Sequence, residues 1–289
     1  MNEKIKKPQN LLDSINAEYD RLTENELTNL GVVLGAYRSF RGDRRSHIAY
    51  VGMPITTGKR YYDVLSEHGV KSREELTEKV GQKALWEEVI QPNINEGISF
   101  ADSLGKQRDM LFIAPSVFEA KQWRWTDDAY MSLWYRVLGE MAGTHWVMDG
   151  WEYSTGGLRE VMFSMIMQWG VIRSFNKDTA VKAFGLKNFH SGLTKEEESL
   201  EFMEMRKMRV YDSAGIDIRI DGALSKSVDA IYDLKQRNFP YQDLLGPANS
   251  IMQTPFMSPY LMADEKYSPV GFGTQKYREA KDRLKNLKY

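Results

Sequence analysis

Between residues 144 and 164 the chain reads Thr-His-Trp-Val-Met-Asp-Gly-Trp-Glu-Tyr-Ser-Thr-Gly-Gly-Leu-Arg-Glu-Val-Met-Phe-Ser. Asp149, Glu152, Ser154, Gly156, Gly157 and Glu160 fall in a polar, glycine-bearing turn and in the start of the helix expected after it. Two carboxylates that share a site can split a glycosidic bond. One attacks the anomeric carbon and the other protonates the leaving group. Glu160 is the candidate for the attacking group. Near a helix start, the dipole and the free N–H groups favour its ionised form by about 0.3–1 kcal/mol. The dipole alone also places glutamates at helix starts with no chemistry attached.

Two other junctions carry polar groups. Gly52-Met-Pro-Ile-Thr-Thr-Gly58-Lys59-Arg60 follows an apolar run. Gly52 and Gly58 permit tight backbone, Thr56 and Thr57 offer hydroxyls, and Lys59 and Arg60 stand at a helix start. That set suits a phosphate, although it is not a Walker loop and an ordinary strand-to-helix turn has similar content. Trp123-Arg-Trp-Thr-Asp-Asp128 precedes another helix. Asp127 and Asp128 read either as caps or as an acid. Trp123 and Trp125, like Trp151, read either as faces for a planar base or as packing.

The elements that must hold these junctions follow from periodicity. Residues 9–40 are predicted helical. The run 47–52 is a strand of the continuous, buried type, and 59–68 a helix ended near Gly69. Residues 72–104 carry further helices, 110–114 is a second strand, and Thr126 or Asp127 caps a helix reaching about Ala142. A third strand at 145–148, a helix at 157–169 and a fourth strand at 171–175 complete the alternation. It predicts an α/β fold, a parallel sheet flanked by helices on both faces. Beyond residue 190 a charged helix at 194–210, a short strand-like stretch at 215–220 and a helix at 224–236 are predicted. A proline-marked extended arm at 239–272 and a basic helix at 274–287 follow. The expected division is a helical segment 1–45, the α/β unit 46–190, and a helical extension with an arm over 191–289.

Composition narrows the function classes. A formal net charge of −1 over 289 residues gives no bulk signal for nucleic acid or anionic membrane. The absence of cysteine excludes disulfides, thiolate zinc sites and cysteine nucleophiles. His47, His68, His145 and His190 show no ligand spacing, so no metal is expected and each reads as structural. Residues 1–10 are polar and lysine-rich, and no apolar run approaches a membrane span. A cytoplasmic location is expected.

The junction motifs resemble those of the nucleoside 2-deoxyribosyltransferase superfamily. Tyr50-Val-Gly-Met-Pro-Ile-Thr-Thr-Gly58 is similar to its opening strand and loop. Gly150-Trp-Glu-Tyr-Ser-Thr-Gly-Gly-Leu-Arg-Glu160 resembles its Asp/Ser-x-Gly-x-x-x-Glu signature, closest to a branch with Gly-Trp-Glu-x-Ser-x-Gly. The resemblance spans about residues 46–175 and implies a flavodoxin-like (Rossmann-like) fold with a covalent glycosyl-Glu160 intermediate. It implies no cofactor, a nucleoside or nucleotide substrate, and a homo-oligomer. Asp128, or Asp127, matches the superfamily's proton donor. Ser154 stands where the transferases carry aspartate. The related 2′-deoxynucleoside 5′-phosphate N-hydrolases have serine there, which helps hold the phosphate. A hydroxyl donates to a phosphate that an aspartate would repel. With Thr56, Thr57, Lys59 and Arg60, that points to a nucleotide. Gly156 and Gly157 then read as room for the sugar, and Asp149 and Glu152 as supporting residues. A non-catalytic nucleotide-binding protein and an assembly protein are the alternatives.

Overall fold

The computed structural model describes residues 21–41, 48–108, 110–117, 125–173, 209–253 and 273–287. Helix α1 (Glu24–Arg41) precedes strand β1 (Ile48–Gly52), α2 (Lys59–Glu67) and α3 (Arg73–Val80). A wide helical turn, Leu85–Ile90, runs into α4 (Gln91–Gln107), and β2 (Leu111–Ile113) follows. Next come α5 (Asp127–Glu140), β3 (Thr144–Val147) and α6 (Thr155–Arg173). Strand β4 (Arg209–Tyr211), α7 (Ile220–Gln236), α8 (Gln242–Gln253) and α9 (Gln275–Lys285) close the chain. No helix among the described residues is long and apolar enough to cross a membrane.

The four strands form one parallel sheet in the order β2-β1-β3-β4. This is the flavodoxin-like doubly wound order, whose direction reverses between β1 and β3. All five residues of β1 are buried, which is why its sequence is a continuous apolar run rather than an alternation. The register pairs Tyr50 with His145 and Gly52 with Val147. Side chains alternate between faces, so Tyr50, Gly52, His145 and Val147 share one face. That face packs against Leu133, Trp134 and Val137 of α5 and Val161 and Met162 of α6. Ala49, Val51 and Trp146 point the other way, onto Leu104, Phe100 and Ala101 of α4.

A carboxylate joins α1 to α5. Glu26 Oε2 accepts from the Thr23 amide and hydroxyl, both at 2.9 Å, and Glu26 N donates to Thr23 Oγ1 at 3.2 Å, closing a capping box on α1. Its other oxygen accepts from the Thr126 amide at 3.1 Å and hydroxyl at 2.7 Å, and Thr126 in turn caps α5. These donors hold the Glu26 carboxyl down at about 2.

The sequence expectations for β1, β2, β3, α2, α5 and the helices near 224–236 and 274–287 agree with the structure. Four others are corrected. Residues 171–173 are the last turn of α6, not a strand, because α6 continues its apolar run past Trp169. The fourth strand comes instead from 209–211, inside the supposed extension, so the sheet is not finished by residue 190. The residues 215–220 form no strand of the sheet; Ile218 N bonds back to Val210 O, and Asp217 makes only an isolated antiparallel bridge to Tyr211. In the predicted arm, residues 242–253 are helix α8 with Pro247 inside it. Burial of Leu244, Leu245, Ala248 and Ile251 along one face offsets the roughly 3 kcal/mol such a proline costs. Residues 9–20, 194–208 and 254–272 of the predicted helices and arm lie outside the described residues.

Glu26→Ala is expected to cost about 2–3 kcal/mol. A carboxyl whose folded pKa is depressed contributes stability above 4.5 that is lost as pH falls towards about 2. That acid-limb loss should shrink in the variant. Urea unfolding at pH 6 and at low pH reads both effects.

Candidate functional site

In this sheet order a ligand crevice is expected beyond the carboxyl ends of β1 and β3, where the winding reverses. Glu160 is there. It lies in the second turn of α6, which follows β3 through the short helical turn Trp151–Tyr153. Tyr50 Oη donates to Glu160 Oε1 at 2.6 Å. The carboxyl lies over the end of β1. A Cβ on Gly52 would come within 2.9 Å of Glu160 Oε2 and 2.5 Å of His145 Nε2. Only glycine at 52 admits both groups to the sheet face.

Glu160 departs from the expectation of an ionised helix-start residue. Only 6% of its surface is exposed, and burial pushes its pKa up to about 8 against the opposing pull of the Tyr50 hydroxyl. At about 1.4 kcal/mol per pH unit, this burial effect is several times the helix-dipole contribution. The dipole acts within the first turn, and Glu160 lies beyond it. At pH 7 the protonated carboxyl predominates in the free protein.

His145 is fully buried on the neighbouring strand. Its Nδ1 is 2.9 Å from Ser164 Oγ, one turn beyond Glu160 on α6, and its ring meets the Tyr50 ring edge-on at 5.3 Å. Burial lowers its pKa to about 3, so the ring is neutral. Tyr50 and His145 are the residues that sequence reasoning missed. Both are hidden in apolar strands. The available signal was a polar group on the inward face next to a strand-end glycine.

Ser154 joins the two junction loops. Its Oγ accepts from Gly157 N at 3.3 Å, capping α6, and from Thr57 Oγ1 at 3.0 Å. With both lone pairs engaged, its own O–H remains to donate. Gly58 adopts φ +94, and its missing Cβ leaves space taken by Pro54. Thr56 is exposed in the same loop.

Lys59 and Arg60 are placed differently from the phosphate expectation. Lys59 pairs with Asp63 at 2.8 Å, and Arg60 pairs with Glu96 and donates to Asn93 Oδ1 at 2.8 Å. Both line a cavity of about 510 Å³ that also includes Pro54, Glu88, Met148 and Asp149 but not Glu160, Thr57 or Ser154. Its five carboxylates (Asp63, Glu67, Glu88, Glu96, Asp149) outnumber the two cations, so it is not itself an anion pocket.

Trp125, Trp151 and Gly157 are also placed differently from the expectation. Trp151 is 1% exposed and Trp125 8%, with its ring packed on Tyr130. Both are core residues with no face open to a base. A Cβ on Gly157 would meet the Trp151 carbonyl oxygen at 2.9 Å, so this glycine serves backbone packing rather than a sugar; Gly156 stays open, with only Ser154 Oγ nearby at 3.8 Å. Asp149 accepts from Ser213 Oγ at 2.9 Å, tying β3 to the turn after β4. Burial raises the Glu152 carboxyl, whose Oε2 has no hydrogen-bond partner among the described residues. Asp127 and Asp128 open α5 on its Thr126 cap, but the positions of their side chains, and all of Trp123, lie outside the described residues. Among the described residues no cluster of three His, Asp or Glu side chains is arranged to hold a metal.

Comparison with protein-family models, with curated proteins and with solved structures finds no match to this chain.

The raised pKa of Glu160 has a stability consequence. The folded protein keeps this proton up to about 8, whereas the unfolded chain loses it near 4.5. Its contribution is complete below 4.5 and is lost as pH rises through 8. Glu160→Gln should therefore gain stability relative to the wild type steadily across that window. Thermal unfolding of the two proteins at pH 5, 7 and 8.5 checks this, and a constant difference would contradict it.

Proposed function

We propose that this chain cleaves, by hydrolysis or transfer, the N-glycosidic bond of a (deoxy)nucleoside 5′-monophosphate through a covalent glycosyl-Glu160 intermediate. The observation that carries the reading is the Glu160 carboxyl at the β1–β3 reversal, held by Tyr50 over Gly52. The missing side chain at Gly52 lets the carboxyl lie directly over the end of β1. The Tyr50 hydroxyl orients one oxygen and favours the carboxylate that the attack requires. Resemblance to the deoxyribosyltransferase superfamily supports the same assignment of Glu160, with Asp128 as the acid for the leaving base.

The phosphate end of the substrate belongs, in this reading, to Ser154 and Thr57 at the start of α6. There a free hydroxyl proton and the helix N-terminus both favour an anion. Thr56 lies in the same loop. Lys59 and Arg60 contribute only a diffuse positive field, since each already has a carboxylate partner. No cofactor and no metal enters the reaction. A homo-oligomer acting on a small-molecule substrate in the cytoplasm is the corresponding setting.

One observation favours a second reading, a nucleotide-binding protein that does not cleave. Glu160 is mostly protonated at neutral pH in the free protein, and a protonated carboxyl is a poor nucleophile. A nucleotide that binds stoichiometrically and is recovered intact would select this alternative.

Chromatographic screening of nucleoside monophosphates for free base is the direct test. Glu160→Gln is expected to lower base release by roughly three orders of magnitude or more. Undiminished release in that variant would remove the mechanism. Ser154→Asp should penalise a monophosphate about a hundredfold more than the matching nucleoside, through repulsion at the phosphate. Equal losses on the two substrates would remove the phosphate role.

A further inference from the structure

We propose that His145 and Glu160 hold one proton between them across the space over Gly52, and that the proton moves to His145 Nε2 when Glu160 acts as nucleophile. This rests on the glycosidase reading for its second half, and on the placement and burial of the two groups for its first.

The geometry begins with the register. Tyr50 and His145 are paired across β1 and β3, so their rings lie side by side beneath α6. Ser164 takes Nδ1 at 2.9 Å, fixing the ring. That leaves Nε2 aimed over Gly52. No described residue hydrogen-bonds it, and the ring is entirely buried. A fully buried ring nitrogen without a partner is costly, on the order of 1–3 kcal/mol. The group facing the same space is Glu160 Oε2, since one point over Gly52 lies 2.5 Å from Nε2 and 2.9 Å from Oε2. A small rotation or a single bridging water closes such a gap.

Among the described residues, few groups face the pair. From β1 comes the Tyr50 hydroxyl, on the other carboxyl oxygen. From α6 comes Ser164, on the far ring nitrogen. From α5, the Trp134 ring packs on Tyr50 at 6.0 Å. Burial and the Tyr50 bond are the influences on the two groups, and no charged side chain among the described residues acts on either. A carboxylate alone in this place would be an uncompensated buried charge. Transfer of the proton from Glu160 Oε2 to His145 Nε2 creates the carboxylate and its counter-charge together, and the net charge of the pair stays zero.

The step balances. The proton leaves Oε2 for Nε2. The Glu160 carboxylate then forms a bond to the anomeric carbon as the carbon–nitrogen bond breaks. The electron pair departs on the base nitrogen, which takes its proton from the acid on α5. Water attacking the anomeric carbon breaks the glycosyl ester and gives its proton to that acid, and the His145 proton returns to Glu160. His145 touches no substrate and acts through Glu160, as a positioning residue.

Two measurements on the full chain test this. The first is spectroscopic and needs no substrate. The infrared band of the protonated Glu160 carboxyl, located as the difference between wild type and Glu160→Gln, should vanish over the same pH range in which the 15N signal of His145 Nε2 shifts. The His145 shift should be lost in Glu160→Gln. A His145 signal that stays silent through the Glu160 titration overturns the shared proton. The second is kinetic. Wild-type base release should keep a pH-independent component below the Glu160 titration, because transfer within the pair supplies carboxylate there, with ionisation to solvent adding to it only as pH approaches 8. His145→Gln should instead rise about tenfold per pH unit up to the Glu160 titration, with kcat altered and KM unchanged. A His145→Gln profile that overlays the wild type overturns the catalytic half. If no nucleotide releases a base, the glycosidase reading fails, and the spectroscopic result still decides the pair.

Discussion

The 2.6 Å hydrogen bond from Tyr50 to Glu160 is the contact on which the site depends. It joins the central strand to the helix that follows the next strand, across the winding reversal of the sheet. Much else follows from admitting a carboxyl there. Gly52 must lack a side chain, His145 must be neutral, and Ser164 must hold the histidine ring from the far side. The surrounding packing is apolar, with Trp134, Val161 and Met162 all buried. The arrangement is costly in folding terms, since Glu160 keeps a proton that an exposed glutamate would have lost. Sites that hold a strained or desolvated group in an otherwise well-packed core are where function is usually found.

The fold was legible where the sequence carries a strong local signal. The buried apolar runs of β1 and β3 and the Thr126 cap of α5 fall where expected. It was illegible where the signal is short or masked. Strand β4 is only Arg-Val-Tyr, too brief for any periodicity. Gly170 resembles a stop, but α6 continues through it to Arg173. Pro247 looked like a stop, but the apolar face of α8 outweighs it. At the candidate site, the sequence places Glu160 near an expected helix start and Ser154 in the turn before it, and the structure has both on that junction. Tyr50 and His145 were not legible, because a polar residue inside an apolar strand resembles ordinary core until a second element is placed above it. Charge was misleading at Lys59 and Arg60, since their carboxylate partners, Asp63 and Glu96, come from helix geometry and from a distant helix.

The two strand-end loops share one hydroxyl. Thr57, from the loop after β1, meets Ser154, from the turn after β3, and Ser154 also caps α6. The residue that starts the helix carrying Glu160 therefore also registers the position of the first loop. A movement of that loop is felt at the helix start, about two turns from the carboxyl. The acidic cavity between α2 and α4 is lined by Pro54 of the same loop but not by Thr57 or Ser154.

Strand β4 comes from residues 209–211, and it covers the β3 edge of the sheet. Every part of the site, from Tyr50 to Ser164, is already in the chain long before that strand exists. During synthesis, the strand bearing His145 is thus left with unpaired backbone groups on one side until some sixty further residues have followed. An open edge of this kind is a template for pairing with another chain. The carboxy-terminal region acts in this sense as a late-arriving cover for the candidate site, and a segment cut at residue 190 would present the strand bearing His145 as a sticky border rather than as the interior of a sheet.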